Sequence, residues 1–273
     1  MARDLTPLHR LNGWLRDAWR AGGTGGLNWH LHAAASQRRW HGTQVQIDRF
    51  LARVQPAQRH LLLIGGSAGW MMCSRWLQRF SEIVLVDIDP WAPNLFRFNH
   101  GRALRASGTR LQCVETDGLK ELEVLLARYP QASLFFDNVL GQHLYRVRDI
   151  EQAEAELDQV AARLAGRDWG SVHDLFSGPV DALRVPVHPV LGFDAQRDAQ
   201  GLLVDGLRGT TMHKRLLAQV GGVHEWMDHV TSGVFPVGVR SRLIAWPFLP
   251  NYAHWLQAGW VAASVPVAPK APS

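Results

Sequence analysis

The sequence predicts an α/β domain whose mostly parallel sheet carries helices on both faces. Short apolar runs alternate with longer amphipathic segments between residues 60 and 177, as expected for buried parallel strands joined by helices. Apolar residues make up 47% of the 273 and charged residues 19%, which is enough for a substantial core. No apolar stretch approaches the roughly 20 residues that a membrane helix needs, so no membrane association is expected.

Seven strands are predicted, the first five of them parallel. The parallel strands are predicted at 60–65, 82–88, 111–117, 133–140 and 171–177. Helices that follow the first four strands are predicted at 68–80, 91–104, 119–129 and 151–165, and a fifth helix is predicted at 210–220. The runs 224–231 and 240–246 are joined through glycines and a proline, which predicts an antiparallel pair at the sheet edge.

The chain is expected to have three parts. Residues 1–54 form an N-terminal helical arm, with helices at 5–20 and 43–54 around a glycine-rich joint, AGGTGG. Residues 55–250 form the α/β domain, and the proline-containing stretch 178–208 with its apparent hairpin is an insertion after strand five. Residues 251–273 form a C-terminal segment that ends in a disordered tail, VPVAPKAPS.

The net charge of +5 is unevenly distributed along the chain. Residues 1–60 contain nine arginines and three acids, a charge of +6, which leaves −1 for the remainder. This basic arm could bind an anionic partner such as nucleic acid. It could equally be a solvated helix face whose arginine stems cover tryptophans, and we favour this second interpretation.

Cysteine and histidine usage predicts a cytoplasmic protein without a metal site. The N-terminus lacks the apolar region of a secretory signal, and Cys73 and Cys113 have no metal-type spacing, so both are expected as thiols in a reducing compartment. The thirteen histidines include only two close pairs without a nearby cysteine or acidic cluster, His30 with His32 and His224 with His229.

A glycine-rich turn is the strongest functional signal. Gly65, Gly66 and Gly69 lie between the first strand and the predicted helix, where glycine lets the backbone approach a ligand and a helix N-terminus favours an anionic group. Asp87 ends the next strand, 22 residues after Gly65, and a carboxylate there can accept hydrogen bonds from both ribose hydroxyls. Together they predict a nucleoside-containing cofactor. The alternative is a turn that only allows close strand–helix packing, and the dinucleotide fingerprint fails in both frames.

With this turn the chain resembles class I S-adenosylmethionine-dependent methyltransferases over roughly residues 55–250. The first motif of that family is acidic-x-G-x-G-x-G, and Gly65 and Gly69 match its outer glycines. Ser67 replaces the middle glycine, and Leu63 stands where the acid is usual. The resemblance implies a Rossmann-like fold.

Three further segments carry the same resemblance. Asp87 in VLVDIDP matches the ribose-binding acid, Asp117 in VETDGL matches the acid near the adenine, and SLFFDNVLGQ matches the fourth motif. The resemblance implies S-adenosylmethionine as the cofactor and a cover contributed by the segment with Trp29 and Trp40. The implied cofactor-binding residues are Gly65, Gly66, Ser67, Gly69, Asp87, Ile88, Asp117, Gly118 and Asn138.

The candidate catalytic residues follow strands four and five. Asp137, Asn138, His143 and His173 are expected to converge there, because ligands bind at the carboxyl ends of strands in an open parallel sheet. Catalysis of methyl transfer is largely in-line positioning, and a base is needed only if the accepting atom is protonated. His143, His173 or Asp137 could serve as that base, although Asp137 and His173 could also be hydrogen-bonded loop anchors.

The methyl acceptor is expected to be a small molecule, because no nucleic-acid recognition motif and no NPPY-type signature is present. Two alternatives stay open. A spermidine-synthase-like aminopropyltransferase has a motif similar to IGGSAG, but it needs acids at Ala68 and near Leu140. A degenerate methyltransferase fold could instead bind RNA through the arginine-rich arm, with strong salt dependence and no cofactor affinity.

Overall fold

A computed structural model describes residues 25–180, 192–198, 201–204 and 227–263 of the chain. The helices predicted at 5–20 and 210–220 lie outside these described residues, as does the predicted disordered tail, VPVAPKAPS.

Five parallel strands form one half of the sheet, in the order β3-β2-β1-β4-β5. They are β1 (His60–Ile64), β2 (Glu82–Asp87), β3 (Arg110–Glu115), β4 (Ser133–Asp137) and β5 (Trp169–Pro179). Leu61 of β1 pairs in register with Ile83 of β2 on one side and with Ser133 of β4 on the other. The chain order reverses between β1 and β4, and a crevice therefore opens at their carboxyl ends.

The other half of the sheet is antiparallel. Its strands are β6 (Gly192–Asp198), β7 (Gly201–Val204), β9 (Arg240–Leu249) and β10 (Tyr252–Val261), and the short β8 (Met227–Asp228) pairs with β5 off this path. β10 inserts between β5 and β9, and the hairpin of β6 and β7 continues the sheet from β9. The hairpin predicted within the insertion is therefore confirmed.

The end of the sheet differs from the prediction in strand number and pairing. The sheet of the described residues has ten strands rather than seven, and β9 pairs with β10 instead of with the run 224–231. The segment after residue 250, predicted to lie outside the α/β domain, holds a long buried strand in which Trp255 and Leu256 are almost fully buried. A tight connection through Pro250 and Asn251 joins the two strands, so β9 is an interior strand and not an edge.

Helices cover both faces of the sheet, which confirms the predicted fold class. One apolar cluster packs α1 (Leu27–Arg53), α2 (Ser74–Leu77) and α3 (Ala92–Ala106) against the sheet. A second cluster on the opposite face contains α4 (Leu122–Arg128) and α6 (Ile150–Arg163), and α5 (His143–Val147) packs on α6. Within the described residues, none of these helices has the length and hydrophobicity needed to cross a membrane.

The helix predicted at 68–80 is much shorter than expected, because α2 begins only at Ser74. Ser67 and Gly69 have φ angles of 48° and 68°, which a right-handed helix cannot contain. The carbonyl of Trp70 accepts a hydrogen bond from Gln44 Nε2 at 2.7 Å and so contacts α1. No helix therefore begins directly after the glycine turn, and the dipole effect predicted from such a helix does not apply.

Candidate functional site

A cavity opens at the carboxyl ends of the central parallel strands, beside the first turn of α1. Its polar part is lined by residues that follow β1 to β4, namely Gly65, Ser67, Asp87, Ile88, Thr116, Asp117, Gly118, Asp137, Asn138, Gln142 and Arg146. Its apolar part is lined by side chains of α1, the glycine turn and the long strands, namely Trp29, Ile47, Trp70, Met71, Val172, Trp246 and Leu256. Of the predicted cofactor-binding residues, only Gly66 and Gly69 are not in this lining.

Close packing requires glycine at three positions in and near the turn. A Cβ at Gly65 would lie 1.8 Å from Val139 Cγ2, and a Cβ at Gly118 would lie 2.4 Å from Ile64 Cγ2. A Cβ on Gly69 would collide with the His100 ring at 2.3 Å. Gly65 and Gly118 line the cavity, whereas Gly66 and Gly69 are buried outside its lining.

The Asp87 carboxyl closes the glycine turn from the end of β2. Its Oδ2 accepts a hydrogen bond from the Ser67 backbone N–H at 2.7 Å, and its Oδ1 accepts one from the Asp89 N–H at 2.8 Å. Burial raises the pKa of Asp87 to about 6, although these two backbone donors favour the ionised form. Each carboxylate oxygen keeps a second lone pair, so the group can also accept hydrogen bonds from a ligand in the cavity.

Ser67, which replaces the middle glycine of the motif, connects the turn to α1. Its φ of 48° shows that the residue adopts the left-handed conformation that glycine would adopt. Its hydroxyl accepts a hydrogen bond from the Trp29 indole N–H at 3.1 Å. The substitution therefore preserves the turn and adds a contact between the turn and α1.

A hydrogen-bonded chain fixes the start of α1 over the cavity. The Trp70 indole donates to His30 Nδ1 at 3.0 Å, and His30 Nε2 lies 2.9 Å from Asp89 Oδ2. Because Nδ1 accepts from the indole, Nε2 carries the proton and donates to the carboxylate. The same Asp89 oxygen accepts from the Gly26 N–H at 2.6 Å, at the N-cap of α1.

Asp117 is held by several partners in the polar part of the cavity lining. Its Oδ1 accepts from the backbone N–H groups of Leu119 and Lys120 at 3.2 and 3.3 Å, and its Oδ2 forms an ion pair with Arg146. Burial opposes ionisation of Asp117, but Arg146 and the backbone donors lower its pKa below the usual value. The carboxyl therefore stays ionised and fixes the loop that carries Gly118.

Asp137 faces the cavity without such partners. Its carboxyl makes no hydrogen bond to any residue that the structure describes, although the residue lines the cavity. Burial, and secondarily repulsion from Asp87, raises the pKa of Asp137 to about 7. A carboxyl that titrates near neutrality can both accept and return a proton.

Both the nitrogen and the oxygen of the Asn138 amide form hydrogen bonds with β5. Its Nδ2 donates to Asp174 Oδ2 and its Oδ1 accepts from the Asp174 backbone N–H, each at 3.0 Å. Its φ of 57° places it in the left-handed region, where asparagine is tolerated. Asn138 thus lines the cavity while tying the end of β4 to β5.

The structure does not bring His143 and His173 to the cavity, contrary to the expected convergence of four residues. His173 is fully buried, with Nδ1 2.9 Å from Ser171 Oγ and its ring against Phe235. Side chains alternate along a strand, so Val172 faces the cavity and His173 faces the other side of the sheet. Burial lowers the pKa of His173 to about 4, which keeps the ring neutral.

His143 lies on α5, where its Nε2 is 2.7 Å from Glu156 Oε2 of α6. The residue is buried between these helices and anchors one to the other. Helix α5 begins at His143 itself, which directs the side chain toward α6 instead of the cavity.

Several lining residues were not predicted from the sequence. Arg146 follows the fourth motif by four positions and carries no motif of its own. Trp246 comes from a strand whose pairing was predicted wrongly, and Leu256 from a strand that was not predicted. Of the two tryptophans expected in a cover, Trp29 lines the cavity. Trp40 is fully buried and donates its indole N–H to the Phe248 carbonyl at 3.2 Å.

No protein-family model and no curated protein matches the chain. Among solved structures, it is similar to magnesium protoporphyrin IX methyltransferase from Synechocystis PCC 6803 with bound SAH, at 15% identity and a TM-score of 0.42 over 94% of this chain and 96% of that one. It is also similar to a candidate O-methyltransferase from Nostoc punctiforme PCC 73102, at 11% identity and a TM-score of 0.41 over 94% of this chain and 69% of that one. Such similarities assign neither an activity nor a ligand to this chain.

Proposed function

We propose that the protein is an S-adenosylmethionine-dependent methyltransferase that acts on a small, partly apolar acceptor by in-line methyl transfer. The observation that carries the proposal is the meeting of two kinds of wall in one cavity. The glycine turn with the Asp87 carboxyl forms a polar wall, and Trp29, Trp70 and Trp246 form an apolar wall of the same cavity.

The polar part of the cavity suits the nucleoside. Asp87 would accept hydrogen bonds from the ribose hydroxyls through its free lone pairs. Ile88 is half-exposed beside it and offers an apolar surface to the adenine, and Gly118 lines the same part of the cavity. Asp117 lies at the same wall, although Arg146 shares its carboxylate.

The charge of the cavity suits a cationic ligand. Asp87 and Asp137 both face it, and each has a raised pKa because burial disfavours its charged form. A nearby positive charge would restore ionisation of both groups. The cofactor brings a positively charged sulfonium that already activates the methyl group, which leaves positioning as the main task of the protein.

The apolar part of the cavity would hold the acceptor. Trp29, Trp70 and Trp246 supply flat surfaces, with Met71 and Leu256 between them, and such a lining favours a molecule with an apolar or aromatic face. If the accepting atom carries a proton, Asp137 would take it, because it is the ionisable residue of the described lining that has no bonding partner.

Calorimetry with S-adenosylmethionine and S-adenosylhomocysteine tests the proposal directly. The Asp87→Ala variant should bind each ligand at least about tenfold more weakly, because charge-assisted hydrogen bonds contribute roughly 1.5–3 kcal/mol each. Asp158→Ala, which removes an exposed carboxyl on α6, is the matched control and should bind as the wild type does. Absence of binding to the wild type, or equal affinity of a folded Asp87→Ala variant, would contradict the proposal.

A further inference from the structure

Three buried metal-binding side chains converge next to the cavity without lining it. They are Asp174 on β5, His229 after β8 and His254 on β10, and one ligand atom from each lies within 4.8 Å of the others. Asp174 and His254 are 80 positions apart in the chain, so no sequence spacing could have revealed the group.

The tautomer of His229 leaves one nitrogen available to a metal. Its Nδ1 lies 2.8 Å from the carbonyl oxygen of Gly141, which can only accept, so Nδ1 carries the proton. Its Nε2 therefore holds the lone pair and faces the hydroxyl of Ser177 at 2.9 Å. Metal-binding histidines commonly donate their other ring N–H to a backbone carbonyl in this way.

The carboxylate of Asp174 is oriented by both of its oxygens. Oδ2 accepts from Asn138 Nδ2 at 3.0 Å, while Oδ1 lies 2.9 Å from His254 Nδ1. Two ligands at about 2.1 Å from one ion, in adjacent octahedral positions, are about 3 Å apart. Because the carboxylate can only accept, His254 Nδ1 carries the proton of this hydrogen bond. A cation would displace that proton, and the separation of Asp174 Oδ1 and His254 Nδ1 suits two ligands of one ion.

The backbone around the group is fixed by contacts that do not involve the ligand atoms. The Asp174 N–H donates to Asn138 Oδ1, and the Asp174 carbonyl accepts from the buried Thr231 hydroxyl at 2.6 Å. The His229 N–H donates to the Leu175 carbonyl at 3.0 Å. These bonds hold β5 and the segment after β8 in place, so little reorganisation is needed to bind an ion.

We propose that Asp174, His229 and His254 form a binding site for a divalent first-row transition-metal ion. Two imidazoles and one carboxylate are a donor set that such ions prefer. Calcium and magnesium are disfavoured, because they prefer ligand sets made of oxygen atoms alone. Three protein ligands leave further coordination positions open for water. The sequence-based expectation of no metal site considered only ligands close together in the chain. Asn138, which binds Asp174 and lines the cavity, connects the two sites.

The test uses the full-length protein without a histidine tag, after removal of metal with a chelator. Titration with Co²⁺, followed by visible absorption, and with Zn²⁺, followed by calorimetry, should each give one equivalent of bound ion. His229→Gln and His254→Gln should each weaken binding at least about tenfold. His143→Gln is the matched control, since His143 is also buried and lies 2.7 Å from a carboxylate, and it should bind metal as the wild type does.

Failure to bind either ion stoichiometrically would overturn the proposal, as would equal affinity of the wild type and both folded cluster variants. The three residues would then be a hydrogen-bonded network alone. Thermal unfolding of each variant in the absence of metal establishes that it is folded. The outcome is independent of the cofactor proposal, because Asp87→Ala should leave metal binding unchanged.

Discussion

Replacement of Asp137 by asparagine should stabilise the protein in a pH-dependent manner. The Asp137 carboxyl lines the cavity and makes no hydrogen bond to a described residue, and burial raises its pKa to about 7. The folded protein therefore keeps a proton on this group that the unfolded chain releases above its ordinary pKa of 3.8. Stability falls as the pH rises from about 4 to about 7 and then levels off.

The size of the effect follows from the pKa difference. The pKa rises from 3.8 to about 7, and with about 1.4 kcal/mol per pKa unit this gives an upper bound of about 4.5 kcal/mol above neutral pH. At pH 5 the same calculation gives about 1.6 kcal/mol, because the folded group remains protonated there. Repulsion from Asp87 contributes to the shift, so the measured values should lie below these bounds.

Urea unfolding at pH 5 and pH 8 measures the difference. Asp137→Asn should gain stability over the wild type at both values and gain about 1–3 kcal/mol more at pH 8. Any change in the free energy of unfolding that the asparagine amide causes independently of pH cancels when the effects at pH 5 and pH 8 are subtracted. Asp158→Asn, on the exposed face of α6, should show no such pH dependence. An equal effect of Asp137→Asn at both pH values would refute the reasoning.

Two further predictions concern the cofactor. Affinity for S-adenosylmethionine should rise between pH 6 and pH 8 more steeply than affinity for the uncharged-sulfur analogue S-adenosylhomocysteine, because the ionised Asp137 and Asp87 attract the sulfonium. If calorimetry shows the same pH dependence of affinity for both ligands, the two carboxylates do not attract the sulfonium. Hydrogen exchange should slow around residues 27–45 when S-adenosylhomocysteine binds, because Trp29 and His30 fix α1 over the cavity. Unchanged exchange there would mean that α1 is not a cover.

The parallel half of the fold was predictable because its signals are local. β1, β2 and β4 are short apolar runs, Gly65 follows β1, and Asp87 ends β2 at the expected spacing, so the meeting of these two residues in one cavity follows from the strand order. The same reasoning placed Asp117 and Asn138 at the correct edge.

The parts that were not predictable depend on contacts between distant segments. To predict that β9 pairs with β10, one must know which strand lies beside β5. This pairing brings Trp246 and Leu256 into the cavity lining. The face that His173 occupies is decided by a one-residue register that the sequence leaves ambiguous. The length of the helix after the glycine turn is limited by contacts with α1 rather than by local propensity.

The central claim is that the cavity at the ends of β1, β2 and β4 binds the nucleoside cofactor. A crystal structure with S-adenosylhomocysteine tests it most directly. The account predicts the ribose hydroxyls on the Asp87 carboxylate, the adenine between Ile88 and Gly118, and the sulfur facing Asp137. A ligand bound elsewhere, or one in the cavity whose ribose does not contact Asp87, would contradict the account.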